Sequence, residues 1–342
     1  MGGCRVRDCR CARELPVNAQ KPGAKVVSAA AVARERQLEA LRRAMGPELL
    51  DPLADPQVVE ILLNPDRSLW VDRLGAGMER IGDIDPVRAL TIVTTVAALI
   101  DTVVTPDRPI LECELPLDGS RFEALIPPLV ERPIFALRKK ALLIFTIEHY
   151  VERGIMSGDQ KEAIEQAVSR RENILVCGGT STGKTTLANA ILDCIARLDP
   201  EHRIVVIEDT RELQVSARNV VFLRTSDTTD MTRLLRATLR LRPDRIVVGE
   251  VRDGSALTLL KAWNTGHPGG VGTVHADDVG GALIRIGQLI QEAGVPPNPE
   301  LTAEAVNVVV SIRRTESGRR VQEVATVRGW STAAGFHIVR LA

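Results

Sequence analysis

The stretch NILVCGGTSTGKTTL, residues 173–187, decides the reading of this chain. Ile174 to Cys177 are apolar and read as a buried strand. They run through Gly178 and Gly179 into a short polar loop, then into Gly183, Lys184 and Thr185 at the head of an apolar-periodic helix. This is the phosphate-loop spacing in the strand–loop–helix setting it requires. Glycines let successive backbone N–H groups face one anion, and the helix N-terminus adds partial positive charge. Residues Gly178, Gly179, Thr180, Ser181, Thr182, Gly183, Lys184, Thr185 and Thr186 are the expected cradle. Lys184 is placed to reach the β- and γ-phosphates, and the Thr185 hydroxyl to ligate Mg²⁺. A glycine-rich turn can also hold nothing, but this motif is complete and correctly flanked, so the chain is expected to bind ATP or another nucleoside triphosphate.

Working outward, 342 residues suffice for two domains. Lys plus Arg and Asp plus Glu each number 44, so no global charge draws the chain to nucleic acid or an anionic membrane. That argues against a DNA-gripping motor, which a local basic channel would still permit. Cys4, Cys9 and Cys11 cluster without the His or second Cys pair that a zinc site needs. Cys177 suits a buried strand, and nothing suggests a disulfide framework, as in a reducing cytosol. The longest apolar run, Ala89 to Ile100, is interrupted by threonines and falls short of the ~20 residues of a membrane span. The expected location is cytoplasmic, with any membrane association peripheral.

Residues 1 to about 35 mix Arg, Cys, Pro, Ala and Gly without clear periodicity and read as a mostly disordered tail. Residues 36–150 read as a small α+β domain: a helix through Leu38, Leu41 and Met45, a strand at Val58 to Leu63, a hairpin, and a helix opened by Pro86. Strands are then expected at Ile110 to Leu115, Arg121 to Ile126 and Phe135 to Arg138. Residues 151–160, with Gly154 and Gly158, read as the linker. From 161 to 342 apolar strands alternate with helices, which predicts a mostly parallel sheet covered on both faces.

In such a sheet the ligand lies at the carboxyl ends of the strands. Two strands after the phosphate loop end there in acids, Ile204 to Ile207 in Glu208 and Asp209, and Ile246 to Val248 in Gly249 and Glu250. One carboxylate would serve the Mg²⁺ shell and another would activate water. Glu250 stands where an Asp is usual, so the division of labour between Glu208 and Glu250 stays open. Thr185, Glu250 and Asp209 are the candidate metal residues; Lys184, Glu208, Glu250 and His275 are the catalytic candidates. His275 ends the strand Val271 to Val274 and could sense the γ-phosphate, or be structural. Arg236, Arg240, Arg242, Arg245 and Arg252 are each either a phosphate partner or an ordinary surface charge.

Four segments together resemble the secretion-ATPase superfamily: GGTSTGKT (178–185), IVVIEDTREL (204–213), LRLRPDRIVVGEVR (239–252) and GHPGGVGTVHAD (266–277). They correspond to its Walker A, Asp box, Walker B and His box, and Glu250 matches its Walker B pattern. ILLNPDRSLWVDR (61–73) and DGSRFEALIPP (118–128) look like the conjugal-transfer branch of the TrbB type. The resemblance implies a RecA-like P-loop NTPase domain, preceded by a smaller PAS-like α+β domain. It also implies a homohexamer with ATP and Mg²⁺ between the two domains, driving a conjugative type IV secretion system through inner-membrane partners. Pilus retraction, type II secretion or a DNA-translocating RecA-like motor are the alternatives. Arg121 and Arg138, and less so Arg132, correspond to N-terminal arginines that approach the phosphates; the Asp box maps to Glu208, Asp209 and Glu212. No four-cysteine metal module is present, and the residues before 36 lie outside the resemblance.

Overall fold

The computed structural model describes residues 29–73, 76–140, 145–226, 228–315 and 318–341. The tail reading therefore falls mostly outside the described residues, but its end does not. Helix α1 (Ala29–Ala54) begins in the Ala-rich run 29–33, good helix formers that the reading of 1–35 as disordered passed over. It kinks at Gly46, whose φ of 57° is left-handed. Arg88 of the next helix caps the carbonyls freed there, donating to Ala44 at 2.7 Å and Met45 at 2.8 Å.

Strands β1 (Val58–Leu63), β2 (Ser68–Arg73) and β3 (Gly77–Asp83) lead to α2 (Pro86–Leu99). Asp85 caps α2 by accepting from the Val87 N–H. Strands β4 (Ile110–Glu114), β5 (Arg121–Leu125) and β6 (Ile134–Arg138) complete a six-stranded sheet in the order β3-β2-β1-β6-β5-β4. All its pairings are antiparallel. Alternate residues such as Ile61, Val71, Phe122 and Leu137 bury against α1 and α2. The other face carries a row of charges: Glu60 lies opposite Arg138, Arg138 opposite Arg121, and Arg121 opposite Glu114.

The stretch 151–160 is not an open linker. Helix α3 (Ile147–Glu152) is capped by Thr146 and α4 (Gly158–Ser169) by Ser157, both in capping boxes. Ile147, Tyr150, Met156 and Ile164 are buried in the core of the second sheet. Gly154, at φ 66°, turns the chain between two helices.

The second sheet has eight strands: β7 (Ile174–Gly178), β8 (Ile204–Glu208), β9 (Val220–Arg224), β10 (Arg245–Val248), β11 (Val271–His275), β12 (Val308–Thr315), β13 (Gly318–Ser331) and β14 (Gly335–Arg340). Their order is β14-β13-β12-β7-β11-β10-β8-β9, with β12 through β9 parallel and β13 and β14 antiparallel. Ile174 and Val176 face the layer of α3, α4 and α5 (Lys184–Leu198). Leu175 and Cys177 face the layer of α6 (Met231–Thr238), α7 (Ser255–Asn264), α8 (Val279–Gln291) and α9 (Pro299–Ala305). Burial on both faces explains the unbroken apolar strands, and it places the ends of β7, β8, β10 and β11 together at one rim.

Candidate active site

The phosphate loop joins β7 to α5. Gly183 is left-handed at φ 97°, and a side chain at Gly178 would collide with the Ile312 carbonyl and the Thr182 hydroxyl. The Thr182 hydroxyl donates to the Gly179 carbonyl at 2.9 Å and closes the loop. Lys184 is 8% exposed, and its ammonium donates to the Gly179 carbonyl at 2.8 Å. Burial lowers its pKa, Glu250 opposing and Arg138 assisting. Among the described residues Lys184 has no direct ion-pair partner; Glu250 acts on it only across His275.

His275, at the end of β11, bridges Lys184 and Glu250. Its Nδ1 lies 3.2 Å from Lys184 Nζ, and its Nε2 lies 2.7 Å from Glu250 Oε1. Burial and the Lys184 charge hold its pKa below the usual 6.5, against the pull of Glu250. The strand ends are tied together, because the Thr273 hydroxyl donates to the Gly249 carbonyl at 2.6 Å. Gly249 is required for close approach: an added Cβ would lie 2.8 Å from Glu208 Cγ.

Glu208 is 4% exposed and accepts from the Glu212 N–H at 3.0 Å and the Leu213 N–H at 2.9 Å. Burial nevertheless pushes its pKa up to about 7. Those two bonds fold the loop so that Glu212 Oε2 accepts from the Thr185 hydroxyl at 3.3 Å. Asp209 lines the same cleft but its carboxylate is engaged by Arg252 at 2.6 Å and by the Thr225 hydroxyl at 2.7 Å. Of the two acids, Glu212 is the one beside Thr185.

A cleft of about 940 Å³ contains Thr180, Ser181, Lys184, Thr185, Glu208, Asp209, Glu250 and His275 on one wall. Arg121 and Arg138 are on the other, presented by the outward face of β5 and β6. Arg138 also pairs with Glu60 at 3.6 Å. Arg132 does not line the cleft; it lies in the exposed turn before β6. Of the other arginines, Arg252 serves Asp209, and Arg245 is buried at the opposite end of its strand. Arg236, Arg240 and Arg242 are exposed and do not line the cleft.

Some cleft residues carry no local sequence signal. Glu114 of β4 accepts from the Arg211 N–H at 3.4 Å and pairs with Arg224 and Lys140, both at 3.5 Å, which joins the two sheets. Arg34 of α1 also lines the cleft, from within the stretch read as tail. Cross-strand register and long-range packing bring these in, and only β4's alternation could have pointed to Glu114. Among the described residues no helix is long and apolar enough to cross a membrane.

Comparison with known proteins agrees with this geometry. The family described as type II/IV secretion system protein matches residues 87–329. A probable conjugal transfer protein TrbB of Sinorhizobium fredii is 49% identical over 292 residues, spanning 85% of this chain and 90% of that protein. The type IV secretion system protein PtlH of Bordetella pertussis is 32% identical over 265 residues, 68% of this chain and 77% of that one. The crystal structure of the pilus retraction motor PilT with bound ADP shares the fold, with a TM-score of 0.60 at 19% identity, over 86% of this chain and 82% of that chain. The chain belongs to the type II/IV secretion system protein family.

Proposed function

We propose that this protein is the ATP-hydrolysing motor of a conjugative type IV secretion system, powering assembly of the transfer apparatus or passage of its substrate. One observation carries the reading: Lys184, a buried ammonium with no direct carboxylate partner among the described residues, sits on the phosphate loop with His275, Glu250 and Glu208 converging beside it. Such a site attracts a polyanion and holds a base for water. The likeness to conjugal transfer and type IV secretion proteins supports the cellular role.

The residues fit the nucleotide and its metal. Loop N–H groups and Lys184 would hold the phosphates, and the Thr185 hydroxyl, backed by Glu212, would hold Mg²⁺. Bound there, the ion would neutralise charge on the phosphate oxygens. Glu250 orients His275 and is the first candidate for activating water, with Glu208 the alternative. Arg121 and Arg138 complete the positive wall, and His275 couples the phosphate state to the position of the first sheet. Work is then done by rigid-body movement between the two sheets, in a homohexameric ring docked on inner-membrane components. The domain reading behind this is a RecA-like unit from about 147 onward, following the capped helices α3 and α4.

Deleting the gene in its host should abolish plasmid transfer and be rescued by the parent gene but not by the Lys184→Ala form. Transfer at the parental level without the gene would refute the role. Light scattering with and without ATP tests the hexamer.

A further inference from the structure

The phosphate loop has two sides, and the acids and His275 occupy only one. On the other, β12 and β13 run past the loop. The Ile312 side chain lies 3.8 Å from where a Gly183 Cβ would stand, and Arg319 is closer still. That Cβ would lie 3.1 Å from Arg319 Cδ and 3.4 Å from its Nε, so the arginine side chain lies along the head of α5. The start of β13 is pinned there. The Val321 N–H donates to the Ile155 carbonyl at 2.8 Å, and Gln160 Nε2 donates to the Val321 carbonyl at 3.4 Å. Arg319 is exposed, and among the described residues its guanidinium makes no hydrogen bond or ion pair.

This matters because a triphosphate is polar in direction. The terminal phosphate belongs with Lys184, His275 and Glu250, so the nucleoside trails from the opposite end of the cradle. An unpartnered planar cation held against Gly183 suits a flat π surface. Guanidinium groups stack on aromatic faces, and the larger face of a purine gains more than that of a pyrimidine. Tyr150, buried in α3, belongs to the core that includes Ile312 and Val321; burial raises its hydroxyl pKa and the Arg319 charge opposes that.

We propose that Arg319 is the base-recognition residue of this site, its guanidinium covering the purine of the bound nucleotide. The inference rests on the nucleotide-binding reading above. Arg319 acts on affinity and base choice and takes no part in the chemical step.

The test uses full-length protein carrying Arg319→Ala or Arg319→Lys, with three measurements: ATP hydrolysis, CTP hydrolysis, and inhibition by inorganic tripolyphosphate. Arg319→Ala should raise KM for ATP about 3- to 30-fold, the scale of a lost cation–π contact, with kcat nearly unchanged. The preference for ATP over CTP should narrow, and inhibition by tripolyphosphate should stay at the parental level. Arg319→Lys keeps the charge and should recover only part of the preference. An equal loss of ATP and tripolyphosphate affinity would make Arg319 a phosphate contact and overturn the proposal, as would unchanged KM and base preference. Failure of the nucleotide-binding reading is separable: tripolyphosphate would not inhibit the parent protein, and Lys184→Ala would leave its hydrolysis unchanged.

Discussion

Lys184 Nζ stands 3.2 Å from His275 Nδ1, and the same imidazole reaches Glu250 with its other nitrogen at 2.7 Å. One neutral tautomer satisfies both contacts: Nδ1 accepts from the ammonium, and Nε2–H donates to the carboxylate. The depressed pKa of His275 favours that form. A phosphate that drew the Lys184 protons to itself would free His275 Nδ1, and on the proposed function the imidazole would then report whether the loop is filled. His275→Ala should therefore leave ATP affinity within a few-fold of the parent while turnover drops at least ~10-fold, the low edge of a lost acid–base or positioning group. Equilibrium binding and steady-state hydrolysis on the same preparation check this, and parental turnover would remove His275 from the cycle.

Lys184→Ala and Glu250→Gln should separate binding from chemistry. The first removes the cation at the loop and should abolish turnover and weaken ATP binding. The second keeps the contact to His275 but not the base, so ATP still binds while hydrolysis slows at least ~10²-fold. Equal turnover in Glu250→Gln and parent would move water activation to Glu208.

Glu208 gives a pH signature with a definite sign. Its proton is held up to about pH 7 in the folded chain, against a usual carboxyl value of 4.5. Between those values the folded state binds more protons than the unfolded state, so stability falls as pH rises through that window. Glu208→Gln should flatten the decline, seen as urea midpoints that diverge from the parent between about pH 5 and 8. If Glu208 also activates water, hydrolysis should rise through about pH 7 in the parent and lose that limb in the variant.

Much of this site was legible because it is local. Gly178 to Thr186 form one turn, and the acids ending β8 and β10 follow directly from apolar strands meeting a rim. The pairing of Arg121 with Arg138 needed more: resemblance named the residues, and only cross-strand register shows why they share a face. Glu114 and Arg34 were invisible as cleft residues, and so was the approach of Arg319 to Gly183, since each depends on contacts far apart in sequence. Residues 151–160 misled because glycine marks helix ends as readily as loops. Strands β12 to β14 went unassigned, although the run Val308 to Val310 carried an ordinary buried-strand signal.

The loop after β8 makes a specific claim about the metal. Asp209 is spent on Arg252 and Thr225, whereas Glu212 meets Thr185. Glu212→Gln should therefore raise the Mg²⁺ concentration needed for half-maximal hydrolysis several-fold, and Asp209→Asn should raise it less. A magnesium titration of the two variants decides; the reverse order would return the metal to Asp209.

Arg245 makes the strongest stability claim, because it is fully buried at the end of the sheet away from the nucleotide. Its guanidinium pairs with Asp199 at 2.5 Å and donates to the Gly269 carbonyl at 2.8 Å and the Val168 carbonyl at 3.0 Å. It thereby ties the start of β10 to α4, to the end of α5 and to the loop before β11. Arg245→Met matches much of the volume but strands one carboxylate, two carbonyls and the His202 Nδ1 that accepts from Arg245 Nε at 3.2 Å, a loss of about 3–5 kcal/mol. Asp199 is 28% exposed and can be partly rescued by water, which favours the lower end. Urea denaturation should show the drop as a lower midpoint at unchanged slope. Combining Arg245→Met with Asp199→Ala should cost less than the sum of the two single changes, because the second removes the stranded charge. Strict additivity would mean that the pair contributes nothing as a pair. ATP turnover well below the melting temperature should stay near parental, since the strands deliver their catalytic ends at the far rim.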